Sequence, residues 1–147
     1  MFLDEKKSGE ARTGAFLLAA ALGIRERERD ALVKALVILE SGRIAGRPAN
    51  ATSTGLGQYS AVVPPFFDMG MMVRQTDCGT SCCILGLARC VADDRSLLQI
   101  AANEDHTARA LFFPHGQAIK CTDPKKGAKA LRSSLETGDP RWAEALA

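Results

Sequence analysis

The chain is poor in aromatic residues, which make up 5% of it, and it has no excess of one charge, since 19 Lys and Arg stand against 17 Asp and Glu. A net charge of +2 with the signs interleaved, as in Arg25-Glu26-Arg27-Glu28-Arg29-Asp30, leaves no electrostatic footprint for nucleic acid. There is no apolar run near the roughly 20 residues that cross a bilayer, so no membrane partner is expected. The stretch from Ala15 to Leu22 resembles the apolar part of an export signal. The charges before it cancel, however, whereas a signal needs a positive start. Only two histidines, His106 and His115, are present, and no paired C-x₂-C knuckles, so neither a metal nor another cofactor is expected. The cysteines are odd in number, five, and four crowd between positions 78 and 90. This is no disulfide framework, and reduced thiols in a cytoplasmic protein are expected.

With 147 residues, 46% hydrophobic and 24% charged, the chain fits one globular domain. The fold expected is all-α: a compact orthogonal bundle of about five helices spanning 1–147, with a flexible lead at 1–9 and a long connection at 43–76 wrapped over the surface between helices 2 and 3. Helical spacing predicts a first helix from Glu10 to Leu22, stopped by Gly23, and a second from Glu26 to Glu40. In the second, Leu32, Leu36 and Leu39 form a stripe that Val33 and Val37 widen. A third helix is expected from Cys78 to Val91 with Asp77 as its cap, then short helical pieces over 96–102 and 104–113. Thr122-Asp123-Pro124 is a strong start signal, a capping side chain before a proline at the first helical position. The helix it opens buries Ala128, Leu131 and Leu135 and ends at Gly138. A last turn inserts Trp142 and Leu146.

Within 43–76, glycines and the Pro64-Pro65 pair break any period, and loops this long are uncommon unless they bind something. Phe66, Phe67, Met69, Met71 and Met72 are too apolar to be left in water. They are expected either to dock on the protein itself or to form an adaptable partner surface, because methionine repacks easily.

The segment from Asp77 to Cys90 supports three readings. A cysteine at a helix start faces unpaired amides and the positive end of the helix dipole, which favour thiolate. Cys78 would be that nucleophile, with His106 or His115 as base within roughly 3–4 Å. Metal binding is opposed by geometry. At about 100° per residue, Cys78 and Cys82 share one helix face and Cys83 and Cys90 another. The third reading is packing, since free cysteine behaves as a small hydrophobe. Cys83, Gly86, Leu87 and Cys90 would then close against the Leu32-Leu36-Leu39 stripe or the Leu131-Leu135 face. Packing is favoured, with both histidines on the surface away from Cys78. The lysines at 120, 125, 126 and 129 are read as a solvated face.

Asp77-Cys78-Gly79 before a small-residue helix resembles the nucleophile segment of papain-like and bacteriocin-processing cysteine peptidases over about ten residues. It lacks the run of strands those folds place after the cysteine. A broader resemblance runs from residue 68 to 142. Asp77-Cys78-Gly79-Thr80, Cys83-Ile84-x-Gly86-x-Ala88, Ala110-Leu111-Phe112-Phe113-Pro114, Glu136-Thr137-Gly138 and Trp142 are similar to a group of small bacterial and phage-associated proteins. Their pattern reads Cys-Gly-Thr-x-x-Cys-Ile-Ala-Gly-Trp, and here Leu85 and Leu87 stand for its alanine and tryptophan. The resemblance implies a compact helical domain and no particular activity. The functional expectation is a non-enzymatic binding or regulatory domain that uses the 43–76 connection, with a protein as the candidate partner. The alternative is a thiol-dependent hydrolase or transferase with Cys78 as nucleophile and His106 as base.

Overall fold

The computed structural model describes residues 16–48, 53–56, 63–69, 73–76, 79–94, 96–99, 109–112 and 120–147. The expected lead at 1–9, residues 10–15 of the first predicted helix, Asp77, Cys78 and both histidines lie outside the described residues, and of the remainder of that helix only Ala19–Leu22 is helical.

The longest helix, α2, spans Glu26–Ser41. Its stripe of Leu32, Leu36 and Leu39 is buried, together with Val33, Ala35 and Ile38. The face is wider than one seam because α2 packs against two other helices, α3 (Ile84–Ala92) and α5 (Pro124–Thr137). A single helix serving two neighbours must offer two apolar strips, which is why Val33 and Ile38 are buried beside the leucines. The start of α2 is fastened by Glu28, whose Oε1 accepts the Arg25 backbone N–H at 2.9 Å. This is half of a capping box, since an arginine side chain has no acceptor to return the bond. Gly42 ends the helix in the left-handed conformation, φ 83°.

The α5 boundaries follow local chemistry closely. Asp123 Oδ1 accepts the Lys125 N–H at 2.9 Å, Pro124 occupies the first helical position, and Gly138 closes the helix. Leu131 and Leu135 are buried on it. The short helices α1 (Ala19–Leu22), α4 (Arg109–Phe112) and α6 (Trp142–Leu146) fill the flanks. Trp142 is buried and its Nε1–H donates to the Leu111 carbonyl at 3.0 Å, which ties α6 to α4 beside α5. Such a partner is what a buried indole requires.

The helices dominate, but the all-α expectation is corrected. Among the described residues five short strands form one sheet: β1 (Ala45–Gly46), β2 (Ser53–Leu56), β3 (Phe66–Phe67), β4 (Val73–Thr76) and β5 (Gly79–Cys82), in the order β1-β3-β5-β4-β2. β1, β3 and β5 run parallel, with Ala45 opposite Phe66 and Phe67 opposite Cys82. β4 joins β5 antiparallel, Val73 facing Cys82 and Thr76 facing Gly79, and β2 pairs with β4 through an irregularity at 53–55. The 43–76 stretch is therefore not a loop laid over a bundle: four of the five strands come from it. The third predicted helix is corrected in the same way. Residues 79–82 are strand, and α3 begins at Ile84 with Cys83, not Asp77, as its cap.

Helix and sheet meet at two tight points. The Phe67 ring lies against Gly127 of α5, where a Cβ would come within 2.5 Å of Cζ. Gly46 of β1 lies under the Thr122 carbonyl, where a Cβ would overlap the oxygen. The backbone adds a link, Met69 N–H to the Cys121 carbonyl at 2.8 Å. Thus α5 and its lead-in seat the carboxyl ends of β1 and β3.

Candidate functional site

The groups with chemical potential gather in three places. The first is the β5–α3 junction. Cys82 ends β5, and Cys83 caps α3, its Sγ accepting the Gly86 N–H at 3.4 Å. Cys90 lies seven residues on, about two helical turns, and so returns to the same face. All three are buried, as is Leu87, in the core that α2 and α3 share. Burial pushes the Cys82 thiol well up, and neighbouring Cys83 and Cys90 add to it. The Cys83 thiol is also pushed up by burial, although the amides at the helix start and Arg89 pull the other way. The helix-start effect that favours thiolate is therefore present at Cys83 and loses to desolvation. The Cys82 and Cys83 thiols are protonated at neutral pH and inert as nucleophiles, and Cys83 and Cys90 are packed as the sequence suggested.

The second place is the carboxyl end of the parallel strands. Asp68 follows β3 and Arg47 follows β1, and they form an ion pair at 2.6 Å with the carboxylate largely buried. Their backbones continue the sheet: Asp68 N–H donates to Cys82 O at 2.9 Å and Arg47 N–H to Phe67 O at 3.0 Å. Cys121 lies nearby, its thiol raised by burial and in part by Asp123 and Asp68. The lead-in to α5 covers this end of the sheet, so the pair fastens structure there. Among the described residues no group of His, Cys, Asp or Glu could hold a metal ion.

The third place is open. A cleft of about 520 Å³ lies between the start of α2 and the turn at 96–99, lined by Gly23, Ile24, Arg25, Glu28, Ser96 and Gln99. Glu28 is 2% exposed at its floor. Its carboxylate accepts the Arg25 N–H, the Arg25 guanidinium at 3.1 Å and the Leu98 N–H at 2.7 Å. Burial acts to raise the pKa of this carboxyl, but the hydrogen bonds from Arg25 and Leu98 outweigh it and hold the pKa below its ordinary value. Arg25 is the exposed rim of the cleft.

Of the residues singled out from the sequence, Cys78, His106, Met71 and Met72 lie outside the described residues. Phe67 is 0% exposed and Met69 is 3% exposed, so both belong to the core and offer no partner surface; Phe66 is half-buried. The lysine cluster is partly engaged within the fold. Lys126 Nζ donates to the Leu146 carbonyl and Lys129 Nζ to the Glu144 carbonyl, bracing α5 on α6. Sequence reasoning passed over Glu28, which sits in a charged run that looks like a solvated face, and Asp68. For Asp68 a signal existed: one carboxylate inside Phe66-Phe67-Asp68-Met69 must be buried with a partner.

No protein-family model, no curated protein and no solved structure matches this chain. Among the described residues, no helix is long and apolar enough to cross a membrane.

Proposed function

We propose that the chain is a cytoplasmic, non-enzymatic binding domain that takes a small polar ligand or a polar peptide segment in the cleft at the start of α2. The observation carrying this reading is the open cleft itself, rimmed by Arg25, Ser96 and Gln99 over a buried Glu28. Among the described residues Leu18, 70% exposed, is the only large hydrophobic side chain left in water. A partner meeting this surface is therefore recognised by polar contacts, not by an apolar patch. The raised thiols at the β5–α3 junction support binding over covalent chemistry in the described part of the fold. Among the described residues the cysteines form no disulfide, which agrees with a reducing compartment.

The test is amide-shift mapping by NMR while polar metabolites and short polar peptides are added. A ligand should shift Gly23, Ile24, Ser96 and Gln99, and Arg25→Ala should abolish the response. Binding that maps elsewhere, or that survives Arg25→Ala unchanged, would sink the assignment.

A further inference from the structure

We propose that the 96–99 turn is a strained latch over the start of α2, held shut by the charged Glu28 carboxylate and released as a unit when that fastening is lost. Leu98 has φ 62°, the left-handed conformation in which a leucine Cβ crowds its own backbone. A non-glycine residue stays there only where its surroundings over-determine it.

Here those surroundings are discrete bonds from two helices. The Leu98 N–H donates to Glu28 of α2 at 2.7 Å, and Arg89 of α3 donates from Nε to the Leu97 carbonyl at 2.8 Å. Asp94 Oδ1 accepts both the backbone N–H and the hydroxyl of Ser96, while Arg27 holds Asp94 Oδ2 at 2.7 Å. The side chains of Leu97 and Leu98 are fully buried beneath the turn. A residue in a conformation it would leave, pinned by a few removable bonds above two buried leucines, is a two-state element whose balance those bonds set.

The Glu28 bond depends on charge because one carboxylate serves three donors. Protonation turns one oxygen into a donor hydroxyl, so the set can no longer be satisfied. The charged groups around it are Arg25 at its own helix start, Arg27 paired with Asp94, and Arg89 on α3. The Glu28 pKa lies below its ordinary value near 4.5 in the folded state. The fastening is thus fully present above that ordinary value and is lost as pH falls through the lowered one. The core contacts of Leu36 and Leu39 lie more than two turns further along α2, so the latch can open without them. Opening removes one wall of the cleft and exposes Leu97 and Leu98. The latch stands whether or not the cleft binds a ligand.

Amide hydrogen exchange on the full chain tests it. In Glu28→Gln at neutral pH, protection of the Leu98 amide should fall about tenfold to a hundredfold, the worth of one charge-assisted hydrogen bond, while the Leu36 and Leu131 amides stay protected. In the wild type the same selective loss should appear as pH drops below about 4.5. A Leu98 amide that exchanges at the wild-type rate in Glu28→Gln, or that opens only together with Leu36 and Leu131, would overturn the proposal. If Glu28→Gln does not fold, the wild-type pH series decides by the same comparison.

Discussion

Replacing Gly127 with alanine sets two effects of opposite sign against each other. In an exposed helix interior, Gly→Ala stabilises by about 1 kcal/mol, because glycine loses more backbone freedom on folding. Gly127, however, is buried in α5 with the Phe67 ring on it. A Cβ there would lie 2.5 Å from Cζ and 2.9 Å from Cε2. Phe67 cannot swing aside freely, because it is fully buried and its backbone is held in β3 between β1 and β5. Forcing an extra methyl into a packed core costs roughly 1–3 kcal/mol. The overpacking wins, and the net expectation is destabilisation by about 1 kcal/mol. In urea this lowers the unfolding midpoint by roughly 0.5 M if the slope is near 2 kcal/mol/M. Adding Phe67→Leu should reverse the sign of the alanine effect, since the ring atoms that oppose the methyl are gone; that coupling isolates the contact from the propensity term. A single Gly127→Ala variant more stable than the wild type would refute the packing of β3 on α5.

Cys82, Cys83 and Cys90 are buried, and burial holds the first two protonated, so a thiol reagent at neutral pH should label all three only at the rate of unfolding and rapidly in denaturant. Fast native labelling of these positions, read by peptide mapping, would contradict the core placement. Arg47→Ala removes the guanidinium from a largely buried carboxylate and should cost about 3–5 kcal/mol. Arg47→Met with Asp68→Leu should recover most of that loss in denaturant unfolding, and a single variant within 0.5 kcal/mol of wild type, roughly the scatter of surface changes, would show that the pair fastens little. Asp123→Ala removes the acceptor for the Lys125 N–H at the start of α5 and should cost about 1 kcal/mol, whereas Asp123→Ser should restore it.

What the amino-acid sequence determined by itself was whatever neighbouring residues settle among themselves. The start of α5 is written in Asp123-Pro124 and its end in Gly138, and the body of α2 in the spacing of its leucines. Helical hydrogen bonds join residues four apart, so caps and period carry the information. The inertness of the α3 cysteines was legible on similar grounds, from small apolar residues at helical spacing. The sheet was not. β1 and β3 are two residues long, and Val73-Arg74-Gln75-Thr76 and Gly79-Thr80-Ser81-Cys82 show no clear alternation of apolar and polar residues. These strands exist because partners distant in the chain supply their hydrogen bonds, Phe66 to Ser81 and Ala45 to Phe66, and because α5 leaves a notch at Gly127 for Phe67. Glu28 was hidden for the same reason. Its local context is a charged helix start, and only the fold brings Leu98, 70 positions along the chain, over its carboxylate.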